Sequence, residues 1–303
     1  MRRHHTRRAA ATCLAAMLVL LAGCGGGDSG TSGSNPSASL PSVSEDPALA
    51  AKVPSGIASD STITVGTDAT YAPSEFLAAD GSTVEGFDVD LFDAVAAKLG
   101  LGTKYVPAPF GNIIPSVQSG KYEIGVSSFT INPDRVKVVD MVRYYSAGTA
   151  WATQTGNPSG ITVDKACGHR VAVQRGTVQV DDVTARSTKC TAAGDKAISI
   201  DQYQGQDQAT AAVVSGKDDA MLADSPVIAY AVKQTAGKLE PLGDIYDSAP
   251  YGYVVKKGEG DFAQALAEAV NQLIADGTYA KVLSKWGVEQ GAVDSAQVNP
   301  SAP

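Results

Sequence analysis

Residues 86–107 read GFDVDLFDAVAAKLGLGTKYVP. Leu91, Val95 and Leu99 recur at a four-residue spacing, which lines them along one face of a helix, and Gly100 stops that helix. Thr103 to Pro107 is short and carries β-branched and aromatic residues, as a strand does. Upstream, Thr62-Ile63-Thr64-Val65-Gly66 is a second such run. Strand, helix, strand in that order is one crossover unit of a parallel sheet flanked by helices.

The alternation continues outward from this unit. Ile113 to Gln118 reads as a short helix ended by Gly120, and Glu123 to Ser127 as a strand. Asn132-Pro133 opens another helix, with Asn as its cap and Pro in the first turn. The cycle restarts after Cys167. His169 to Gln174 is a strand, Val178 to Arg186 a helix, Ala197 to Ile200 a strand and Gln206 to Val214 a helix. Asp219 to Leu222, Ser225 to Gln234 and Leu239 to Leu242 follow as strand, helix and strand. Phe262, Leu266, Val270 and Leu273 form a helical stripe before Tyr279 to Trp286. Two such blocks imply two lobes, residues 59–148 with 250–288 and residues 149–249. The extended Tyr/Ala/Gly-rich stretches Tyr145–Thr153 and Ser248–Val255 are the expected chain crossings. Open parallel sheets bind ligands beyond the carboxyl ends of their strands, so the cleft between the lobes is the natural site.

The ends of the chain read differently. Arg2, Arg3, Arg7 and Arg8 precede an apolar run from Ala9 to Leu21. That run is shorter than the ~20 residues of a membrane span, so residues 1–23 are expected to be a signal peptide. Leu21-Ala22-Gly23-Cys24 resembles the bacterial lipobox, which implies a lipid on Cys24 and a protein held on the outer face of the cell membrane. Residues 24–58 are rich in Ser, Gly, Pro and Ala and read as a flexible linker. Residues 289–303 read as a loosely ordered tail.

Losing four of 24 basic residues with the leader, against 32 acidic ones, leaves a mature chain with twelve more acidic than basic residues. That balance offers no basic face for nucleic acid. Cys167 and Cys190 remain as an even pair in an oxidising compartment, read as a disulfide within one lobe. A zinc site lacks ligands, since only His169 is near. No metal or other cofactor is expected.

The segment 86–99 is similar to the signature of the family 3 extracellular solute-binding proteins, polar amino-acid receptors of ABC importers. The likeness runs through nearly all of 60–287. Thr67-Asp68-Ala69-Thr70-Tyr71-Ala72-Pro73 resembles the first-strand motif, and Ser127 to Arg135 (SSFTINPDR) the carboxylate-binding segment. Arg175-Gly176-Thr177, Ala223-Asp224-Ser225-Pro226 and Ala275-Asp276-Gly277-Thr278-Tyr279 match in the second half. The resemblance implies a two-lobed α/β fold of the periplasmic-binding-protein type II, two parallel-core sheets joined by hinge strands. It also implies a monomer that closes on an amino acid and docks on a permease.

A zwitterion needs a guanidinium fork for its carboxylate. By resemblance Arg135 supplies it, with N–H and hydroxyl donors from Gly176 and Thr177. Asp224, at a strand end, is the implied ammonium partner, or else a cap of the next helix. Ser127 and Thr130 are expected as acceptors, with Ser128 as backbone support. Tyr71 and Phe110 are the implied walls against the ligand's carbon stem. Asp68 is where relatives keep an acidic side-chain partner, and Gln174 adds an amide. Asp88 is either in the same group or a helix cap. Ser74, where the family has Phe, is expected to widen the rim. These residues favour a basic or amide side chain, whereas Arg175, if turned inward, favours an acidic one. Two rival readings share the fold: a sensor that presents the closed form to a receptor, and a cyclohexadienyl-dehydratase-like enzyme using Glu75 or Glu123 as general acid.

Overall fold

The computed structural model describes residues 42–301. The expected signal peptide and Cys24 lie outside the described residues. Two short helices come first, α1 (Pro47–Ala50) and α2 (Ser55–Asp60). The first block follows as β1 (Thr62–Thr67), β2 (Thr70–Tyr71), β3 (Glu75–Leu77), β4 (Val84–Glu85), α3 (Phe87–Lys98), β5 (Gly102–Pro107), α4 (Phe110–Gln118), β6 (Ile124–Gly125) and α5 (Pro133–Val138). A long strand, β7 (Val139–Gln154), leads to the second block: β8 (Arg170–Gln174), α6 (Val178–Ala192), β9 (Ser199–Tyr203), α7 (Gln206–Val214), β10 (Ala220–Asp224) and α8 (Ser225–Gln234). A second long strand, β11 (Leu239–Lys256), returns the chain to α9 (Gly260–Ala275) and α10 (Thr278–Trp286).

Both blocks share one eight-stranded sheet, in the order β5-β1-β6-β11-β7-β10-β8-β9. β1 lies parallel between β5 and β6, and β8 parallel between β9 and β10. β7 and β11 run antiparallel through the middle and serve both lobes. The two expected crossings lie within them, so the parallel cores are halves of one sheet. Leu239 to Leu242, read as a separate strand, is the start of β11.

Each half buries both faces, which is why its strands read as continuous apolar runs. In the first lobe Ile63, Leu91, Val95 and Leu266 pack on one face, and Ile113, Val117 and Phe129 on the other. In the second lobe Ala209, Val213 and Met221 cover one face, and Val171, Val183 and Leu222 the other. Cys167 and Cys190 form the expected disulfide, Cα atoms 5.5 Å apart over a separation of 23 residues. Closing a loop of this length contributes roughly 3 kcal/mol.

Two boundary readings are corrected. The linker does not extend to residue 58, because Leu49, Val53 and Ile57 are buried in the first-lobe core. Each such side chain contributes ~1.5–3 kcal/mol on burial, enough to hold a short helical segment in place. Asp46 caps α1 and also accepts from the Gln272 amide at 2.7 Å. The tail is likewise ordered through residue 301. It covers the edge of β7 that β11 leaves open in the first lobe. Val298 bridges Val142, and Asn299 N–H donates to the Met141 carbonyl at 2.7 Å. Arg143 donates to the Ser295 carbonyl at 2.7 Å. An unpaired strand edge is thereby satisfied by the chain itself.

Candidate functional site

The carboxyl ends of β1, β6, β8 and β10 converge on one pocket. Nine of the eleven residues expected to bind ligand are on its wall. Asp68, Tyr71, Phe110, Ser128, Thr130 and Arg135 come from the first lobe, and Gln174, Thr177 and Asp224 from the second. Val178 and Gln179, unread in the sequence, complete it. Both lie in the first turn of α6, directly after the β8 strand end, and that position was the available signal.

Arg135 is set by its helix start: Asn132 caps α5 by accepting Arg135 N–H at 2.9 Å. The guanidinium donates to the Thr130 carbonyl at 2.8 Å and, across the cleft, to the Gly176 carbonyl at 3.3 Å. It lies over the rings of Phe110 and Phe129, 5.4 and 5.6 Å from their centroids. Burial pushes its pKa down to about 10, so it remains charged at neutral pH. Gly176 therefore contributes to the site through Arg135 and is not itself on the wall. Thr177 directs its hydroxyl to the Gln174 carbonyl at 2.8 Å and not into the pocket. What α6 presents there is its first turn, whose N–H groups have no intrahelical acceptor.

Asp224 ends β10, and its carboxylate makes no cap to α8. It accepts from Tyr71 O–H at 2.9 Å and from the Gln179 amide at 2.8 Å. The Asp68 carboxylate accepts from Phe110 N–H at 2.9 Å, from the Gln174 amide at 3.1 Å and from the Thr70 hydroxyl. Burial raises the pKa of both carboxyls, the hydrogen bonds only partly offsetting it. Every donor that reaches either carboxylate by a hydrogen bond is neutral.

Several expectations change here. Ser127 is behind the wall, accepting Asp68 N–H at 2.9 Å and donating to Glu75 at 2.9 Å. Its hydroxyl is occupied, so it is no ligand acceptor. Ser128 does reach the wall, in the left-handed region at φ 50°. Asp88 holds it there by accepting its N–H at 3.0 Å. Asp88 neither caps α3 nor enters the pocket. Ser74 is buried, and a Cβ at Gly86 (φ +144°) would sit 2.0 Å from the Ser74 carbonyl oxygen, so it is packing and not rim. Arg175 is exposed and off the wall, which removes the argument for an acidic ligand.

Glu75 and Asp88 are both buried behind Ser127 and Ser128. Burial, then the Asp88 charge, holds the Glu75 carboxyl well above its usual range, and burial lifts Asp88 to about 6. Asp88 Oδ1 has no donor among the described residues, and the Asp88 charge is one cause of the raised Glu75 pKa. The folded state keeps these protons above the ordinary carboxylate values of 4.5 and 3.8, where the unfolded chain releases them. Stability is full below those values and falls as pH rises through the raised ones, by up to ~1.4 kcal/mol per pH unit per proton. Glu75→Gln supplies a permanent donor, so its melting temperature should fall less than wild type between pH 5 and 9. Parallel curves would sink this assignment of the proton.

The sequence profile of the bacterial extracellular solute-binding proteins, family 3, matches residues 63–289. The arginine-binding protein ArgT of Corynebacterium glutamicum is 39% identical over 254 residues, covering 84% of this chain and 83% of that protein. Among solved structures, an ancestral arginine-binding protein bound to arginine superposes with a TM-score of 0.69 at 32% identity, over 75% of this chain and 98% of that one. The ancestral amino-acid-binding protein AncCDT-1, a precursor of cyclohexadienyl dehydratase, gives 0.69 at 33% identity, over 76% and 97%. With the profile spanning the whole two-lobed core, the chain belongs to the bacterial extracellular solute-binding proteins of family 3.

Proposed function

We propose that this protein binds a basic amino acid, arginine foremost, in the cleft and carries it to the permease of an ABC importer. One observation carries the choice of ligand. Among the described residues, the pocket wall has one cation, Arg135, and two carboxylates, Asp68 and Asp224. An arginine zwitterion is the complement, with one carboxylate and two cations. In this reading the ligand carboxylate lies between Arg135 and the first turn of α6, where N–H groups and the helix dipole favour an anion. The α-ammonium meets Asp224 and Thr130. The guanidinium meets Asp68, with Gln174 beside it and the Tyr71 and Phe110 rings along the stem.

Each lobe supplies half of these partners, so the ligand binds the closed state better and shifts the population toward it. The enzyme reading loses its general acid. Glu75 is off the wall, and Glu123 accepts Thr64 N–H at 2.6 Å as part of the sheet. We read the exported chain as a non-enzymatic monomer anchored by a lipid on Cys24. Cys24→Ser should then leave the membrane fraction, and its retention there would refute the anchor. For the ligand, thermal unfolding is the direct test. Arginine at a hundred times its Kd adds ~2.7 kcal/mol, a midpoint rise of roughly 5–10 °C. A larger shift with glutamate or aspartate, or none with any amino acid, would overturn the reading.

A further inference from the structure

Thr70 stands outside the pocket wall yet touches both lobes. Its hydroxyl donates to Asp68 Oδ1 at 2.5 Å and accepts Gln206 N–H at 3.1 Å. Gln206 opens α7 in the second lobe, and the first N–H groups of a helix have no acceptor within it. A hydroxyl can serve both partners at once, accepting from one and donating to the other. The residue before Gln206 gives independent support. Gly205 has φ −118°, a conformation open to any residue, so its backbone does not call for glycine. A Cβ there would fall 2.5 Å from Asp207 Oδ1 in its own lobe, and 2.9 Å from Thr70 Oγ1 and 3.0 Å from Thr70 Cγ2 of the first lobe. The absent side chain leaves room both for Asp207 and for the approach of Thr70 from the first lobe.

We propose that Thr70 is a positioning residue that ties the orientation of the Asp68 carboxylate to closure of the lobes. The proposal rests on the ligand reading above, in which Asp68 receives the basic side chain. In the closed state Gln206 N–H engages the Thr70 oxygen and so fixes the hydroxyl proton on Asp68 Oδ1. The Gln174 amide, also from the second lobe, engages Oδ2. Opening withdraws both second-lobe donors together. The first lobe then retains Phe110 N–H on Oδ2 and a Thr70 hydroxyl that is free to turn away. Closure thus completes the far half of the Asp68 hydrogen-bond set at the moment the ligand is enclosed, and polarised chains of this kind reinforce one another.

The test compares Thr70→Val, which keeps the shape and loses the hydroxyl, with Thr70→Ser, which keeps the hydroxyl. Arginine affinity is measured by calorimetry, and exchange of the Gln206 amide with solvent deuterium by NMR. Thr70→Val should weaken arginine binding about tenfold or more, the effect of one lost hydrogen bond to a charged group. Thr70→Ser should stay within about threefold of wild type. Arginine should slow exchange of the Gln206 amide in wild type and Thr70→Ser but not in Thr70→Val, a change that packing alone would not produce. Wild-type affinity in Thr70→Val with Gln206 still protected, or Thr70→Ser as weak as Thr70→Val, would overturn the proposal. Failure of wild type to bind arginine would instead refute the ligand reading. The clasp would then be read with whichever amino acid does bind, and slowing of Gln206 exchange that survives in Thr70→Val would sink it.

Discussion

Arg135→Ala is expected to weaken arginine binding by ~10²–10⁴-fold, the ~3–5 kcal/mol of a buried charge left without its partner. Among the described residues, Arg135 is the only cationic residue on the pocket wall. Its fork is already aligned by Thr130 and Gly176 and supported by the Phe110 and Phe129 rings, so a ligand carboxylate meets a donor pair that needs little reordering. Truncation also leaves Asp224 without its nearest favourable charge. Arg135→Lys should recover only a fraction, because a point charge on a flexible stem lacks the planar pair of donors. Calorimetry on both variants checks this. A loss below tenfold for the alanine variant would mean that the carboxylate is bound elsewhere.

Asp68→Asn should change which ligand is preferred more than it changes binding as a whole. The amide keeps an acceptor for Phe110 N–H but removes one of the two negative charges that match a basic ligand. Arginine should weaken ~100-fold, in the range measured when one member of a buried hydrogen-bonded charge pair is removed. Glutamine, with a neutral side-chain end, should hold its affinity or gain, so that the order of the two ligands inverts. Competition between them in one titration gives the ratio directly. Parallel weakening of both would place Asp68 in a structural role and return the specificity to Gln174 and the aromatic walls.

Much of the architecture was legible in the chain because a parallel sheet writes its period into local residues. The spacing of Leu91, Val95 and Leu99, and the bounds of α7 and α8, follow from apolar periodicity and small punctuating residues. Polar runs near the ends misled the reading. Leu49, Val53 and Ile57 do recur every four residues, but the Ser, Gly and Pro around them hid a stripe whose packing partner lies on the first-lobe core. The tail at Val298 and Asn299 has no periodic signal, since it is held by the unfilled edge of β7.

The site divides in the same way. Resemblance to the family's motifs, supported by a helix start at Arg135 and a strand end at Asp224, singled out Asp68, Arg135 and Asp224, and all three are on the pocket wall. The chain alone therefore determined the two-block α/β layout, the disulfide pair and the residue types set around the cleft, all of which depend on short-range order. Tertiary structure decided the rest. It alone put Ser127 behind the wall and Arg175 outside it, buried Glu75 and Asp88 together behind Ser127 and Ser128, and brought Gln206 onto Thr70. The physical reason is that hydrogen-bond partners and burial are set by segments far apart in sequence: Thr70 and Gln206 are 136 residues apart along the chain and meet only in the folded structure.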